Sequence, residues 1–340
     1  MSDILITGGL GFIGSHLTRN LLENHNVLLI DKVTYAADEN TLKEFKSHAN
    51  CSFFKEDISN IKKINSVVDD FRPNIVFHLA AESHVDKSIE NSKDFINSNI
   101  VGTYSVLEAS LNLFKKDKNH DFIFHHISTD EVYGDLMDRK SREDLSLKNL
   151  FSESSKYYPS SPYSASKAAS DHLVFAWGRT YNLPFIISNC SNNYGPNQAK
   201  EKFIPNIIST ALHGKEIPIY GDGSQIRDWI YVLDHVEALI KLAFSKNIGI
   251  FNIGGDNQIK NLDLCKIILQ KLDLLNPKTK NYSYLDQISF VDDRPGHDVK
   301  YGVDNSKIKK IIDWSPSVNL EKGLDITIDW YLKKLLRGKY

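Results

Sequence analysis

An acidic pair, Asp130 and Glu131, is the part of this chain whose residue types and spacing best fit proton transfer. It follows an apolar run over residues 121–127 that predicts a buried strand, with the hydroxyl of Thr129 beside it. Two desolvated carboxylates do not ionise equally, so one can act as an acid and the other as a base, as elimination of water requires. For the pair taken alone, the alternative is a solvated loop that caps the next turn.

The elements that would position this pair begin with a strand, a glycine turn and a helix at the start of the chain. A β-rich run over residues 3–7 precedes a turn with glycines at 8, 11 and 14, and an amphipathic segment follows over 15–23. The first glycine permits a tight turn, the second lets the backbone approach a pyrophosphate, and the third lets helix and strand pack closely. The phosphates would meet the N-terminus of the helix. A purely structural turn is the alternative, and the predicted contacts are Gly8, Gly11, Phe12, Ile13 and Gly14.

The next apolar run, over residues 27–30, ends at Asp31, whose carboxylate is placed to accept hydrogen bonds from an adenosine ribose. That negative charge favours NAD over NADP, although Lys32 next to it would partly compensate for the charge. A candidate third strand leads to Asp57 and Ile58, which we place beside the adenine.

Tyr163 and Lys167 are four residues apart after Pro162, which suits a helix start, so their side chains share one helix face. An adjacent ammonium and a positive nicotinamide ring would lower the tyrosine pKa from its usual value of about 10 and make it a base. Ordinary amphipathic helices also show this spacing. The pair therefore indicates chemistry only in combination with the glycine turn and Thr129.

The rest of the chain predicts the scaffold and a second lobe. We expect a fourth strand over 74–81, a helix over 94–113, a charged insertion over 135–158 and a further strand over 184–190. The second half is less regular, and its cations are mixed with apolar and turn residues. Such a mixture can hold a nucleotide base by packing and a diphosphate by charge-assisted hydrogen bonds. The alternative is that these cations form ordinary ion pairs on the surface.

Length and composition limit the class of protein. The chain has 340 residues, 41% hydrophobic residues, 25% charged residues and a formal net charge of −2, which suits a globular α/β protein. We expect no membrane insertion and no nucleic-acid partner, because there is no long apolar run and no basic excess. The cysteines, Cys51, Cys190 and Cys265, are far apart without metal-ligand spacing, which predicts reduced thiols, no metal site and a cytoplasmic protein. The first strand begins so early that we expect no export signal.

These motifs resemble a known group of enzymes. Residues 7–14, Thr129, Tyr163 and Lys167 are similar to the extended short-chain dehydrogenase/reductase superfamily. Within it, the chain resembles the dTDP-glucose 4,6-dehydratases at residues 78–86, 128–134, 189–196, 225–232 and 294–298, and the similarity covers nearly the whole chain. The acidic pair is its most specific element, because related sugar-nucleotide epimerases and decarboxylases lack it.

The resemblance implies an α/β fold with a Rossmann doubly wound parallel sheet and a smaller, interleaved C-terminal substrate-binding lobe. The NAD-binding domain would cover about 1–190, and 191–340 would mainly bind the nucleotide sugar. It also implies a homodimer. At residue 98 the family often has threonine, and Ser98 keeps the hydroxyl.

The implied reaction is the conversion of dTDP-glucose to dTDP-4-keto-6-deoxy-glucose by a hydro-lyase. Tyr163 would take the proton of the 4-hydroxyl while C4 gives a hydride to NAD, with Thr129 and Lys167 orienting and polarising the group. Glu131 would then remove the C5 proton and Asp130 would protonate the leaving 6-hydroxyl, before the hydride returns to C6. A UDP-glucose dehydratase, or an epimerase or decarboxylase on the same scaffold, is the alternative, as is an NAD-binding regulatory protein.

The resemblance also assigns binding residues. Beyond the glycine turn, the predicted NAD contacts are Asp31, Lys32, Thr34, Asp57, Ile58, Leu79, Ala80, Ala81, Ser83, Ser98, Tyr163, Lys167 and Asn193. The predicted substrate contacts are Ser83, Thr129, Asn192, Lys202, Phe203, Pro218, Ile219, Tyr220, Arg227, Asn261, Asp293, Arg294, Pro295, Gly296 and His297.

Overall fold

A computed structural model describes residues 1–34, 37–117, 121–136, 150–278 and 282–336. Most of the charged insertion predicted over 135–158 lies outside the described residues, since 137–149 are not among them. No helix in the described ranges is long and apolar enough to cross a membrane.

A seven-stranded parallel sheet forms the centre of the molecule, with strand order β10-β6-β5-β4-β1-β2-β3. The reversal of strand order beside β1 is the switch point at which α/β sheets bind ligands. The strands of the described chain are β1 (Asp3–Thr7), β2 (Asn26–Asp31), β3 (Cys51–Lys55), β4 (Ile75–His78), β5 (Ile123–Thr129), β6 (Phe185–Cys190), β7 (Asn192–Tyr194), β8 (Ile217–Tyr220), β9 (Ile226–Tyr231), β10 (Gly249–Ile253), β11 (Gln258–Lys260) and β12 (Ile288–Val291).

Helices cover both faces of the sheet. They are α1 (Phe12–Leu22), α2 (Glu39–Lys46), α3 (Ile61–Phe71), α4 (Val85–Glu90), α5 (Lys93–Phe95), α6 (Thr103–Lys116), α7 (Pro162–Tyr181), α8 (Phe203–Leu212), α9 (Val232–Phe244), α10 (Asn261–Leu275), α11 (Ser306–Ile312) and α12 (Leu320–Leu336). A π-helix spans Ile96–Gly102, and 3-10 turns span Asp130–Tyr133 and Tyr284–Gln287.

Alternation along the strands builds two cores. In β1, Ile4 and Ile6 pack towards α1 and α9, whereas Leu5 packs on the opposite face with α3, α6 and α7. Strands buried on both faces need continuous apolar runs, which explains why β1, β2 and β5 could be found in the sequence. The predicted doubly wound sheet is confirmed.

The C-terminal lobe has its own core, in which α8, α10 and α12 pack around β8 and β9. Its sheets are small: β11-β9-β7 and β12-β8. Strand β10 and helix α9, although late in the chain, pack with the central sheet, so the lobes interleave as predicted. The boundary near residue 190 remains a prediction.

Two local predictions need corrected bounds. The buried strand expected over 121–127 is confirmed but spans Ile123–Thr129, and the acidic pair opens a 3-10 turn with Asp130 buried, so the alternative of a solvated loop does not hold. The helix expected over 94–113 is interrupted by the π-helix, which leads into α6. Hydrophobic spacing does not distinguish a π-helical turn from an α-helical one over so few residues.

Candidate functional site

The carboxyl end of β5 presents three functional side chains in sequence. Thr129 closes the strand and caps the 3-10 turn, because its hydroxyl accepts the N–H of Glu131 at 3.3 Å. Asp130 is only 1% exposed, whereas Glu131 is half-buried. The turn therefore sets two adjacent carboxyl groups in unequal surroundings at the switch edge of the sheet.

Helix α7 brings the tyrosine and the lysine to the same edge. Ser161 caps it in a reciprocal capping box with Ser164, and Pro162 is its first residue, as predicted. Tyr163 and Lys167 are both buried. Thr129 hydrogen-bonds the Tyr163 hydroxyl, which joins α7 to the end of β5. We call Thr129, Asp130, Glu131, Tyr163 and Lys167 the acid–base cluster.

The two carboxyl groups of the cluster differ in their electrostatics. Burial raises the pKa of Asp130 well above its usual value, and the charges of Glu131 and Asp228 raise it further. Burial also raises the pKa of Glu131, but three cations, Arg294, Arg227 and Lys202, oppose this shift. Asp130 therefore keeps a proton more readily than Glu131, as an acid and base pair requires.

The lowering of the tyrosine pKa, which was predicted with a nicotinamide ring beside it, remains a prediction, since the protein side chains alone shift this pKa upwards. Burial raises the pKa of Tyr163 well above 10, and the neighbouring Glu131 carboxylate raises it further, while the hydrogen bond from Thr129 acts in the opposite direction. The ammonium of Lys167 donates to the Ile127 carbonyl at 2.9 Å and lies 3.3 Å from Nε2 of His126. It is thus directed at β5 and not at the phenol, although both residues share one helix face.

A crevice along the ends of β1, β2 and β4 contains most of the predicted cofactor residues. Gly8 has φ +71°, and a Cβ there would lie 2.7 Å from the Ala80 nitrogen. At Gly14 a Cβ would lie 2.2 Å from the Gly8 carbonyl oxygen, so only glycine permits this close packing. The crevice is lined by Gly8, Gly11, Ile30, Asp31, Lys32, Thr34, Ala37, Glu56, Asp57, Ile58, Leu79, Ala80, Ala81, Glu82, Ser83 and Ser98.

The far end of the crevice is strongly charged, and we call Asp31, Lys32, Asp57 and Glu82 the adenosine rim. Lys32 lies 3.0 Å from Glu82 and 3.8 Å from Asp57, and it donates to Ser98 at 3.1 Å. Asp31 accepts the N–H groups of Leu10 and Val33. With three carboxylates around one ammonium, the rim disfavours a 2'-phosphate, which fits NAD, because Lys32 also interacts with Glu82 and Asp57 and so compensates only partly for Asp31.

These observations test whether the residues fit NAD. The glycine turn leaves the first N–H groups of α1, near half-buried Phe12 and Ile13, open to a pyrophosphate. The carboxylate of Asp31 closes β2 where a ribose would lie, and the crevice is lined as far as Ser83, whose carbonyl accepts a hydrogen bond from Lys202. Asn193 lies on β7, outside the crevice lining, and donates to the Ser191 carbonyl at 3.0 Å. The residues fit the cofactor.

The C-terminal lobe brings cations to the cluster. Lys202 donates to the Ser83 carbonyl at 2.7 Å and so links the lobe to the crevice. Arg294 pairs with Asp86 at 3.0 Å. Arg227 is 4% exposed, donates to the carbonyls of Ile226 and Asp298, and lies over the ring of Tyr301. A forked contact from Arg227 to a diphosphate therefore remains a prediction.

The other predicted substrate residues differ in their burial and contacts. The Tyr220 ring contacts His297, which pairs with Asp293 at 2.6 Å. Gly296 has a φ of +70°, and a Cβ there would lie 2.8 Å from the Ser160 carbonyl oxygen, so both the backbone conformation and the space favour glycine. Phe203 stacks on Trp229 at the start of α8. Pro218 and Pro295 are exposed, Asn192 and Asn261 are half-buried, and Ile219 is buried in the lobe core, so its contact with a substrate remains a prediction.

Several residues escaped the sequence reasoning. Glu56 lines the crevice, and Asp86 joins Arg294 and Tyr220. Asp171 lies behind the cluster, and its spacing of four residues from Lys167 was the available signal. No group of three or more metal-ligating side chains occurs among the residues that the structure describes.

Comparison with known proteins places this geometry in a family. The model of the GDP-mannose 4,6 dehydratase family matches residues 5–327. The dTDP-glucose 4,6-dehydratase of Haemophilus influenzae is 50% identical over 98% of this chain and 98% of its own length. That of Salmonella typhimurium is 49% identical over 97% of this chain and 92% of its own length.

Solved structures agree with these relatives. The dTDP-glucose 4,6-dehydratase DesIV of Streptomyces venezuelae, solved with NAD bound, superposes with a TM-score of 0.87 at 34% identity, covering 99% of this chain and 98% of that one. The Bacillus anthracis enzyme in complex with NAD gives 0.82 at 36% identity, with 98% and 97% covered. The chain therefore belongs to the dTDP-glucose 4,6-dehydratase family and is an NAD-dependent dehydratase.

Proposed function

We propose that the acid–base cluster carries out the dehydration of dTDP-glucose to dTDP-4-keto-6-deoxy-glucose, with the roles divided among its side chains. The observation that carries this proposal is the unequal burial of Asp130 and Glu131 at the end of β5. An elimination needs one carboxyl group as acid and one as base, whereas epimerisation at C4 does not.

The first step falls to Tyr163, which accepts the proton of the 4-hydroxyl as C4 is oxidised. Thr129 supports it, because the hydrogen bond from Thr129 stabilises the phenolate. When bound, NAD supplies the hydride acceptor for C4 and the hydride donor for C6. Lys167 holds a positive charge one helical turn from the phenol.

The second step falls to the acidic pair. Glu131 removes the C5 proton, and Asp130 protonates the 6-hydroxyl, which leaves as water; C5 regains a proton from Glu131 when C6 receives the hydride. Because the charge of Glu131 disfavours the phenolate of Tyr163, the protonation of Tyr163 in the first step favours an ionised Glu131 for the second. The electrostatics of the cluster therefore support the order in which oxidation precedes elimination.

We propose that the nucleotide sugar lies between the crevice and the C-terminal lobe. Lys202, Arg227 and Arg294 act on Glu131 from that lobe, so their positive charges surround the opening that leads to the cluster. A nucleoside diphosphate there gains charge-assisted hydrogen bonds. Residues of both lobes would thus hold one substrate.

The test is incubation of the purified protein with dTDP-glucose and, separately, UDP-glucose, followed by mass analysis of the products. We expect loss of one water from dTDP-glucose without net consumption of added NADH. A product isomeric with the substrate would identify an epimerase instead, as in the UDP-glucose 4-epimerase of Thermotoga maritima, which has a TM-score of 0.82 at 27% identity.

We propose that the protein is a homodimer. The exposed faces of the π-helix, α6 and α7 carry Ile96, Val101, Tyr104, Phe175 and Tyr181, all between 39% and 47% exposed. A second copy would cover this apolar surface. We expect Tyr104→Glu to give monomers in sedimentation experiments. Leu274→Glu, on the C-terminal lobe, should leave the dimer unchanged and is the control.

We also propose a cytoplasmic location. The three cysteines are free thiols, as a reducing compartment would keep them. Cell fractionation with immunodetection tests this, and recovery in the exported fraction would contradict it.

A further inference from the structure

A buried polar network lies behind the acid–base cluster. It lies on the same face of α7 as Tyr163 and Lys167, further towards the C-terminus of the helix. Asp171 is four residues after Lys167, so its carboxylate continues that face by one turn, and it is 1% exposed. The proposed steps give this buried carboxylate no role, although a buried charge needs a partner to be stable.

Each oxygen of this carboxylate faces a different group. Oδ2 accepts hydrogen bonds from the Ser128 hydroxyl at 2.8 Å and from the Tyr157 hydroxyl at 3.0 Å. Oδ1 lies 3.2 Å from Nε2 of His126. The same nitrogen is 3.3 Å from the Lys167 ammonium, so one imidazole separates the two charges.

The imidazole cannot serve both neighbours at once. Burial keeps the pKa of His126 well below its usual value, so the ring is neutral. Its Nε2 accepts a hydrogen bond from the Lys167 ammonium, whereas Oδ1 of Asp171, 3.2 Å from the same nitrogen, has no hydrogen-bond partner among the described residues. The ammonium thus contacts a carbonyl and a ring, and among the residues that the structure describes no carboxylate forms an ion pair with it. A negative charge across the ring compensates for the burial of the positive one.

We propose that Asp171 is a positioning residue for the dehydratase: its charge, acting across His126, holds the buried ammonium of Lys167 against Ile127, while Ser128 and Tyr157 anchor the carboxylate. This inference depends on the proposed role of Lys167 in the oxidation step. Ser128 is also the residue before Thr129, so the same carboxylate connects α7 to the strand end that carries the acidic pair.

The pH dependence follows from the groups around this pair. Burial lowers the pKa of Lys167, and the charge of Asp171 opposes that shift. Burial raises the pKa of Asp171 to about 6, and Lys167 opposes it. The other titratable side chains that face the pair are His78 of β4, His126 of β5, Tyr133 of the 3-10 turn, Tyr157, His172 of α7 and Cys190 of β6.

The first test compares Asp171→Asn with Tyr157→Phe, which removes one hydrogen bond to the same carboxylate but keeps its charge. We expect Asp171→Asn to slow C4 oxidation on the order of 10- to 100-fold with KM nearly unchanged, as misplacement of a catalytic group does. The alkaline limb of the rate should move to lower pH, because Lys167 loses its proton more easily. Tyr157→Phe should leave that limb in place. An unmoved limb in Asp171→Asn, or equal behaviour of the two variants, would overturn the inference.

The second test uses stability and needs no turnover. Thermal unfolding of Lys167→Met, Asp171→Asn and the double variant forms a cycle. Each single change leaves one buried charge unpaired, whereas the double change removes both charges. We therefore expect the melting temperature of the double variant to fall by less than the sum of the two decreases seen in the single variants. If Asp171→Asn alone does not fold, Lys167→Met should restore folding. Strict additivity would overturn the inference, whereas failure of the wild type to dehydrate dTDP-glucose would refute the proposed function and leave this cycle intact.

Discussion

The acid–base cluster and the adenosine rim lie on the same edge of the same sheet, but the side chains of the cluster are more deeply buried than those of the rim. In the cluster, Asp130 is 1% exposed and Lys167 is 4% exposed. In the rim, the side chains of Lys32 and Asp57 are 35% and 36% exposed. Similar residue types thus occupy two dielectric environments within one ligand-binding edge.

The pKa values respond to that difference. Partial burial raises the pKa of Asp57, but hydrogen bonds from Ser59 and the ammonium of Lys32 outweigh it, so the pKa is lowered overall. For Asp130 burial dominates, and the pKa rises. Asp57 and Lys32 of the rim therefore keep their charges and can select a ligand, whereas the cluster holds groups that can exchange protons.

The largest expected effect comes from the first proton acceptor. Tyr163→Phe removes the phenolic oxygen, so C4 oxidation should stall, with a loss within the ~100- to 10,000-fold that general acid–base groups contribute. Stopped-flow absorbance after mixing NAD-loaded enzyme with dTDP-glucose should show little reduced cofactor. Rapid formation of reduced cofactor in this variant would remove Tyr163 from the first step.

Glu131→Gln should block the next step of the reaction, the removal of the C5 proton, which depends on the same cluster. It keeps the side-chain shape but removes the base for C5, so reduced cofactor should form and persist while dehydration falls by ~100- to 10,000-fold. Hydrogen exchange at C5, followed by mass analysis, should be lost in parallel. Dehydration at the wild-type rate would show that Glu131 is not the base.

In the rim, Asp31→Ala should weaken binding and leave the chemical step unchanged. Losing a hydrogen bond to a charged group typically costs about 1.5–3 kcal/mol, which corresponds to a roughly 10- to 150-fold higher Kd for NAD. Discrimination against NADP should also decrease, because one of three carboxylates is gone. Calorimetric titration with both dinucleotides measures this, and an equal loss of affinity for both would contradict the electrostatic explanation.

Both regions were partly visible in the sequence because their signals are local. The glycine turn with Asp31 follows from strand and turn chemistry within thirty-one residues, and the acidic pair is contiguous. Pro162 with the spacing of Tyr163 and Lys167 predicted a helix start and a shared face, and both were confirmed. The parallel sheet followed from the apolar runs.

What the sequence could not show depends on contacts between distant residues. The pKa of Tyr163 rises because the 3-10 turn sets Glu131 beside it, and no periodicity reports that. Lys32 meets Glu82 only after three strands have paired. The ammonium of Lys167 is directed at β5 by Ile127 and His126, contacts that the spacing along α7 does not report.

A smaller effect should appear in the stability of the cluster. Asp130→Asn removes a carboxyl group whose folded-state pKa is raised, so in the wild type its contribution to stability is full at low pH and is lost as pH rises through that pKa. At pH 8 the variant should therefore melt at a higher temperature than the wild type, with a free energy of unfolding that is larger by up to about 1–3 kcal/mol. At pH 4 this gain should be absent. A pH series of thermal melts checks this, and a variant that is less stable at both pH values would contradict it.

The smallest effect should come from Lys32→Met in the rim. Its pKa is raised overall because the interactions with Glu82 and Asp57 outweigh partial burial, so its stabilising charge persists at neutral pH and is lost only in strong alkali. The side chain is half-exposed, so removal should cost only ~0.2–1 kcal/mol, and added salt should shrink the difference. Arg19→Met, which breaks the exposed pair with Glu44, is the matched control. Both variants should lose similar stability in urea titrations, but only Lys32→Met should change the Kd for NAD, since Lys32 lines the crevice and Arg19 does not. If Arg19→Met altered NAD binding equally, the rim would have no selective role.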